Sequence, residues 1–154
     1  MFETDFRSIE SKAMALDSGP VLLVEQDPEN AHMVKRAFED LKVTRPLVHF
    51  MDGEDALAYL QQPKEKSPWL ILLSIGAYET DGITFLETIK SDESLKPIPV
   101  ILMASSYRQD IILQSFRFGA VGYMINSNEP SQLTHTIRTI IRYWSLCAWP
   151  PDEN

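Results

Sequence analysis

The chain is 154 residues long, 44% of them are hydrophobic, and its formal net charge is −8. This length favours one compact domain with a full hydrophobic core, and the acidic balance argues against nucleic acid or an anionic membrane as partner. The only cysteine, Cys147, excludes an internal disulfide. No apolar run approaches the roughly 20 residues of a membrane span, and the acidic Glu3 and Asp5 are unlike a secretory signal. We therefore expect a cytoplasmic protein.

The chain divides into three parts by composition. A turn-forming segment at 17–20, Asp-Ser-Gly-Pro, marks the start of the domain proper. We expect an N-terminal extension at residues 1–19, one α/β domain at 20–145, and a C-terminal tail at 146–154, where aromatic residues and prolines follow the last helix. The extension carries three apolar residues at helical spacing: Phe2, Phe6 and Ile9. A short additional helix and an extension without a helix are two open alternatives.

Five apolar segments predict β-strands. The third of them, Trp69 to Ser74, begins with five consecutive large apolar residues, which is typical of a strand buried on both faces of a parallel sheet. It stops at a small polar residue, Ser74, just before a loop with glycines. The other four predicted strands are 21–24, 46–51, 98–103 and 120–125.

An amphipathic segment follows each predicted strand. Asp27 precedes Pro28, a pattern typical of a helix N-cap with proline in the first turn. The fourth helix is expected to open at residues 104–106 and to end at Gly119. The apolar residues assigned to this helix are Ile111, Ile112 and Phe116.

The alternation of five strands with five helices predicts an α/β fold, because right-handed crossovers place helices on both faces of a parallel sheet. At this size we expect a doubly wound (βα)5 domain with the flavodoxin-like strand order 2-1-3-4-5. Ligands and chemistry in such folds sit at the carboxyl ends of the strands. The candidate residues at that edge are Glu25, Gln26, Ser74, Ala104 and Asn126.

Several short motifs carry a resemblance to a known family. They are Val24-Glu25-Gln26-Asp27-Pro28, Asp81-Gly82, Ile98-Pro99-Val100, and Gly119-Ala120 followed by Gly122-Tyr123. With these motifs, residues 20–145 resemble a response-regulator receiver domain of the CheY type. The chain is similar to short regulators of phytochrome-type sensor kinases, whose chains also end in an aromatic, proline-containing tail. The resemblance implies two-component signalling, with a sensor kinase or a downstream signalling protein as partner.

The resemblance also implies a phosphorylation site, from which this sequence departs. Receivers carry an aspartate phosphoacceptor at the position of Ser74 and an acidic, Mg²⁺-binding pair at those of Glu25 and Gln26. They carry a threonine or serine at the position of Ala104 and a lysine at that of Asn126. Only Glu25 matches. Because an acyl phosphate needs a carboxylate nucleophile and Mg²⁺ needs several anionic oxygen ligands, we expect a degenerate pseudo-receiver without enzymatic activity, metal or cofactor.

These departures remove charges of both signs together. In an intact receiver site the lysine offsets the clustered carboxylates, and either sign alone would be a partly buried, uncompensated charge. We therefore expect Ser74, Gln26 and Asn126 to satisfy one another through neutral hydrogen bonds, each contributing roughly 1 kcal/mol. This coupled loss favours a module that acts by protein contact and does not depend on phosphorylation.

Aromatic residues near the C-terminus predict an interaction surface. Tyr123 lies at the position of the family's aromatic switch residue, but Ala104 offers it no hydroxyl partner. Trp144, Leu146 and Trp149 favour a homodimer contact, because exposed tryptophans tend to mark contact surfaces. The alternative is that these residues fold back over the domain.

Two alternative functions stay open at this point. The rim is a candidate small-molecule site, although Glu25, Asp27 and Glu29 would repel the phosphate that a flavodoxin-like loop holds. The second alternative is a receiver that is phosphorylated at a non-standard residue, Asp27 or Asp81. Without a lysine or a metal site, such a transfer would lack its usual electrostatic help.

Overall fold

The structure is a computed structural model that describes residues 19–64, 66–76, 79–126 and 129–147. The short helix considered for Phe2, Phe6 and Ile9 lies outside these residues, and so does Trp149 of the tail. Among the helices of the described residues, none combines the length and the apolar character needed to cross a membrane.

A parallel β-sheet forms the centre of the domain. Its strands in the described residues have the order β2-β1-β3-β4-β5, and every neighbouring pair is parallel. This confirms the predicted doubly wound, flavodoxin-like topology. The strands are β1 Val21–Val24, β2 Leu47–Phe50, β3 Leu70–Ile75, β4 Val100–Ala104 and β5 Gly122–Ile125.

One helix follows each strand, as predicted, and together the helices cover both faces of the sheet. On one face of the sheet, side chains of α2, α3 and α4 form a hydrophobic cluster with the strands. On the other face, side chains of α1 and α5 form a second cluster with the strands. The helices are α1 Pro28–Asp40, α2 Gly53–Gln61, α3 Glu79–Ser91, α4 Gln109–Arg117 and α5 Pro130–Ser145.

The core is built by side chains that alternate along the central strands. In β1, Leu22 and Val24 join the α2–α3–α4 cluster, whereas Val21 and Leu23 join the α1–α5 cluster. All four apolar residues from Leu70 to Leu73 are at most 1% exposed. Each such side chain contributes about 1.5–3 kcal/mol by leaving water, so β1 and β3 hold the scaffold on which the site rests.

Asp27 caps helix α1 in the predicted way. Its carboxylate accepts a hydrogen bond of 2.9 Å from the backbone N–H of Glu29, and Pro28 occupies the first turn. The cap turns the chain sharply away from the sheet immediately after β1. Glu25 and Gln26 are thereby held in the short segment between strand and helix.

The predicted opening of the fourth helix at residues 104–106 is wrong. Ala104 is the last residue of β4 and pairs with Ile75 of β3, and α4 begins only at Gln109. The inward face of α4 is formed by residues four apart, Ile111 and Ser115, which are buried. Phe116 lies about 100° further round the helix and is 51% exposed.

Helix α4 is followed by Gly119, as predicted, and the backbone there requires a glycine. Its φ of +97° lies in the left-handed region that disfavours a β-carbon. A β-carbon at this position would lie 3.2 Å from Cγ of Lys90. Lys90 is itself fixed, because its ammonium donates hydrogen bonds to the carbonyls of Lys96 at 2.9 Å and Ile98 at 2.6 Å. Burial lowers the pKa of Lys90.

Replacing Gly119 by alanine should lower the free energy of unfolding by about 1–2 kcal/mol, because the new β-carbon is strained at positive φ. Equilibrium urea denaturation measures this difference. Gly122→Ala is the matched control, since its β-carbon would lie at an ordinary 3.7 Å from Ile101. Equal losses in both variants would contradict the assignment to backbone conformation.

Candidate functional site

The carboxyl ends of β1, β3, β4 and β5 surround one open cavity of about 370 Å³. The five residues predicted for this rim all line it. Neighbouring strands bring them together through the parallel register, in which Ile75 pairs with Ala104. The lining residues are Glu25, Gln26, Asp27, Asn30, Met33, Val34, Ser74, Ile75, Gly76, Met103, Ala104, Ser105, Asn126 and Leu133.

Glu25 is a buried carboxylate at the centre of the site. It is 5% exposed. Its Oε1 accepts a hydrogen bond of 2.9 Å from the Ser74 hydroxyl, and its Oε2 accepts one of 3.2 Å from the backbone N–H of Asp27. From β2, the His49 ring nitrogen Nε2 lies 2.9 Å from the Glu25 carbonyl oxygen. Both carboxylate oxygens therefore have protein donors.

The expected neutral network between Ser74, Gln26 and Asn126 is wrong, because Ser74 donates to the Glu25 carboxylate instead. A carboxylate is the stronger acceptor, and Glu25 directly follows β1, the strand next to that of Ser74. Gln26 is half-buried and makes no side-chain hydrogen bond within the described residues; its Oε1 lies near Gly76.

Asn126 turns to helix α5 for its partner. Its Oδ1 accepts a hydrogen bond of 2.7 Å from the Thr136 hydroxyl, and its backbone N–H donates to the carbonyl of Ala104 at 2.8 Å. Thr136 was missed in the sequence analysis. The sequence feature that could have identified it is a polar residue at an inward position of α5, next to Ile137 and one turn after Leu133.

The charge pattern of the rim does not suit phosphoryl transfer. Glu25 and Asp27 are the only charged side chains among the described residues that line the cavity, and both are negative. Ala104 is buried and supplies no hydroxyl. A transferring phosphoryl group needs positive groups that offset its charge, and the lining residues offer none.

The donor set also does not suit Mg²⁺. Glu25 is the only buried carboxylate among the described lining residues, and Asp27 is engaged in capping α1. Gln26 and Ser74 are neutral, although Mg²⁺ in proteins is usually held by carboxylates. Within residues 19–64, 66–76, 79–126 and 129–147, no group of three or more histidine, cysteine, aspartate or glutamate side chains is placed to hold a metal ion.

Two aromatic residues predicted for an interface, Tyr123 and Trp144, are half-buried. Tyr123 is half-buried in β5 against the α2–α3–α4 cluster. Trp144 is half-buried against the α1–α5 cluster, as expected for an inward residue of the last helix and for the alternative in which it folds back over the domain. The exposed aromatic of this turn is Tyr143, at 62%, whose ring meets that of Trp144 edge-on at a centroid distance of 5.2 Å. Leu146 is also exposed.

Helix α4, strand β5 and the residue directly before that strand carry a second set of exposed apolar side chains, which we call the α4–β5 surface. Each is about half exposed, although apolar residues of this size are usually more deeply buried. From the sequence, we expect a protein contact through the fourth helix, the fifth strand, the fifth helix and the tail; the structure adds which side chains of the first two elements are exposed. The surface consists of Leu113, Phe116, Val121 and Ile125.

Ser74→Ala should lower the free energy of unfolding by about 1–2 kcal/mol, because it leaves a buried oxygen of Glu25 without a donor. The measurement is chemical denaturation of the full chain. Ser105→Ala is the control, because Ser105 lines the same cavity but is exposed; its effect should stay within about 0.5 kcal/mol. If Ser74→Ala were as neutral as Ser105→Ala, the Ser74–Glu25 bond would not contribute to stability.

Two curated relatives are similar in sequence to this chain over most of its length. Response regulator Rcp1 of Synechocystis sp. is 29% identical over 138 residues, which cover 85% of this chain and 94% of that protein. The probable methanogenesis regulatory protein FilR2 of Methanothrix harundinacea is 31% identical over 141 residues, covering 84% of this chain and 91% of that protein. Both are similar to this chain over nearly their whole length.

The fold is also similar to that of a solved response regulator structure. The crystal structure of the phosphorylated cyanobacterial phytochrome response regulator RcpA superposes with a TM-score of 0.77 at 32% identity, covering 86% of this chain and 99% of that one. The family model of the response regulator receiver domain matches residues 21–138. The strand order, the site at the carboxyl edge and these matches agree: the chain belongs to the response regulator receiver domain family.

Proposed function

We propose that this protein is a single-domain pseudo-receiver, which acts in two-component-type signalling through protein contacts that do not require phosphorylation. The observation that carries the proposal is the Ser74–Glu25 hydrogen bond of 2.9 Å. A neutral hydroxyl stands where the family has its nucleophilic carboxylate, and it is occupied as a donor to the neighbouring carboxylate.

The rest of the rim supports the same conclusion. RcpA is a phosphorylated relative, whereas this chain has lost each group that would handle a phosphoryl group except Glu25. Asn126 is neutral and bonded to Thr136, and Ala104 has no hydroxyl that could follow a phosphoryl group. With only carboxylates as charged lining groups, the cavity repels a dianionic phosphoryl donor.

The proposed partner is a sensor kinase or a downstream signalling protein. The α4–β5 surface offers half-exposed apolar side chains on two adjoining elements, and exposed apolar patches on soluble domains mark contact sites. A reducing cytoplasmic setting fits the free thiol of Cys147. In this proposal, no enzymatic step accompanies the contact.

We also propose a homodimer that forms through the end of α5 and the tail. Tyr143 and Leu146 are exposed where α5 ends, and Trp149 follows in the tail. Large aromatic side chains contribute most of the energy of many protein contacts. The half-buried Trp144 then supports the contact by holding Tyr143 edge-on, rather than by forming it.

Incubation of the full chain with Mg²⁺ and acetyl phosphate should produce no phosphoryl adduct in intact-mass spectra, and beryllofluoride should leave the amide NMR spectrum unchanged. The positive control is the variant Gln26→Asp/Ser74→Asp/Ala104→Thr/Asn126→Lys, which restores the family's residues and should become phosphorylated. A Mg²⁺-dependent adduct on the native chain, mapped to Ser74, Asp27 or Asp81, would contradict the proposal.

Light scattering tests the homodimer. The full chain should have twice the mass of one chain, and a chain that ends at Ser145 should be monomeric, because it lacks Leu146 and Trp149. Tyr107→Ala removes an exposed aromatic residue elsewhere, in the loop before α4, and should leave the dimer intact. The same mass for the full and shortened chains would exclude the tail as the contact.

A further inference from the structure

We infer that the cavity at the carboxyl edge of the sheet is a binding site for a small primary amine that also carries a hydroxyl group. This inference goes beyond the proposed function, because it concerns a ligand of the rim rather than a protein partner. It is carried by two buried residues that line the cavity, Glu25 after β1 and Asn126 after β5; the strands β3 and β4 lie between them. One supplies a negative charge and the other a hydrogen-bond donor.

Glu25 supplies the negative charge. It is 5% exposed, and its two donors, the Ser74 hydroxyl and the Asp27 backbone N–H, are neutral. No lysine, arginine or histidine is among the described residues that line the cavity. A buried charge without a counter-charge is costly, so an ammonium group in this cavity would form a favourable ion pair that the protein itself does not supply.

Asn126 supplies a donor. It is 8% exposed, and its Oδ1 already accepts the hydrogen bond from Thr136. The amide nitrogen is thus the end of the side chain left for the cavity that Asn126 lines, and it has no hydrogen-bond partner in the described part of the chain. A side-chain donor that no acceptor of the described residues occupies can bind an acceptor of a ligand, which a hydroxyl group provides without adding negative charge.

The walls between these two groups suit a short aliphatic body. The cavity volume of about 370 Å³ falls within the range of small-molecule sites. Met33, Met103 and Leu133 line it, and methionine side chains adapt to irregular apolar ligands. Anionic and phosphorylated ligands are excluded, because the charged lining groups Glu25 and Asp27 are both negative.

The test uses the full chain and a series of ω-amino alcohols, from 2-aminoethanol to 6-aminohexan-1-ol. Each is compared with the diol and the alkylamine of the same chain length, by titration in amide NMR and calorimetry. For the best-fitting length, the amino alcohol should bind at least about tenfold more tightly than the diol. It should bind about fivefold more tightly than the alkylamine, since a neutral hydrogen bond contributes less.

Two variants assign these preferences to residues. Glu25→Gln keeps the shape and the acceptor for Ser74 but should abolish the preference over the diol. Asn126→Leu with Thr136→Val removes both partners of a buried hydrogen bond and should abolish only the preference over the alkylamine. Glu93→Gln is the control, because its carboxylate is 88% exposed in a surface pair with Lys96, and it should change neither preference.

Three outcomes of the ligand titrations would overturn the inference. They are no binding of any amino alcohol at millimolar concentration to the folded chain, equal binding of amino alcohol and diol, and retention of both preferences in Glu25→Gln. Mg²⁺ alone should not shift the amide signals of Ser74 and Asn126; a metal ion that bound there and displaced the amine would also overturn it. The phosphodonor and light-scattering experiments are independent of these results, so the proposed function can fail or stand separately.

Discussion

The buried carboxylate of Glu25 sets the constraints on everything around it. It is held by the turn that Asp27 forces between β1 and α1, and it receives one hydrogen bond from that turn and one from β3. A second carboxylate at residue 74 would stand within about 3 Å of the first, where two like charges cannot both stay ionised without help. A serine hydroxyl removes that repulsion and turns the same position into a donor.

The same balance of charges at the rim explains the asparagine at position 126. A lysine there would pair with clustered carboxylates in an intact receiver, but with a single carboxylate already satisfied by two donors, its charge would find less compensation. An asparagine needs only neutral partners, and Thr136 provides one. The serine at position 74 and the asparagine at position 126 are therefore consistent with each other, and the charged side chains among the described lining residues are the carboxylates Glu25 and Asp27.

The fold could be predicted from the sequence because its signals are strong and local. Uninterrupted apolar strands and amphipathic helices are set by burial on two faces, and five such repeats leave few topologies. The boundary between β4 and α4 was less predictable. Ser105 and Ser106 are good helix caps by type, yet the backbone of β4 keeps pairing with β3 through Ala104 and postpones the helix.

The members of the site were predictable, but their pairing was not. Strand ends placed Glu25, Ser74 and Asn126 on one rim, since parallel strands end on the same side. Which donor meets which acceptor depends on distances of a few ångströms that sequence spacing does not contain, and so the carboxylate of Glu25 was overlooked as the acceptor for Ser74. Which side chains of an amphipathic helix are exposed is also hard to predict from spacing. A rotation of 100° per residue separates the buried Ser115 from the exposed Phe116.

The stability of the fold and the chemistry of the rim depend on different residues. Side chains such as Leu72 and Leu102 are fully buried and contribute about 1.5–3 kcal/mol each, whereas a rim hydrogen bond contributes about 1 kcal/mol. Changes at the rim therefore leave the sheet and the α4–β5 surface in place. Asn126 directly follows β5 and is bonded to α5 through Thr136, so the rim is joined directly to the strand that carries part of that surface.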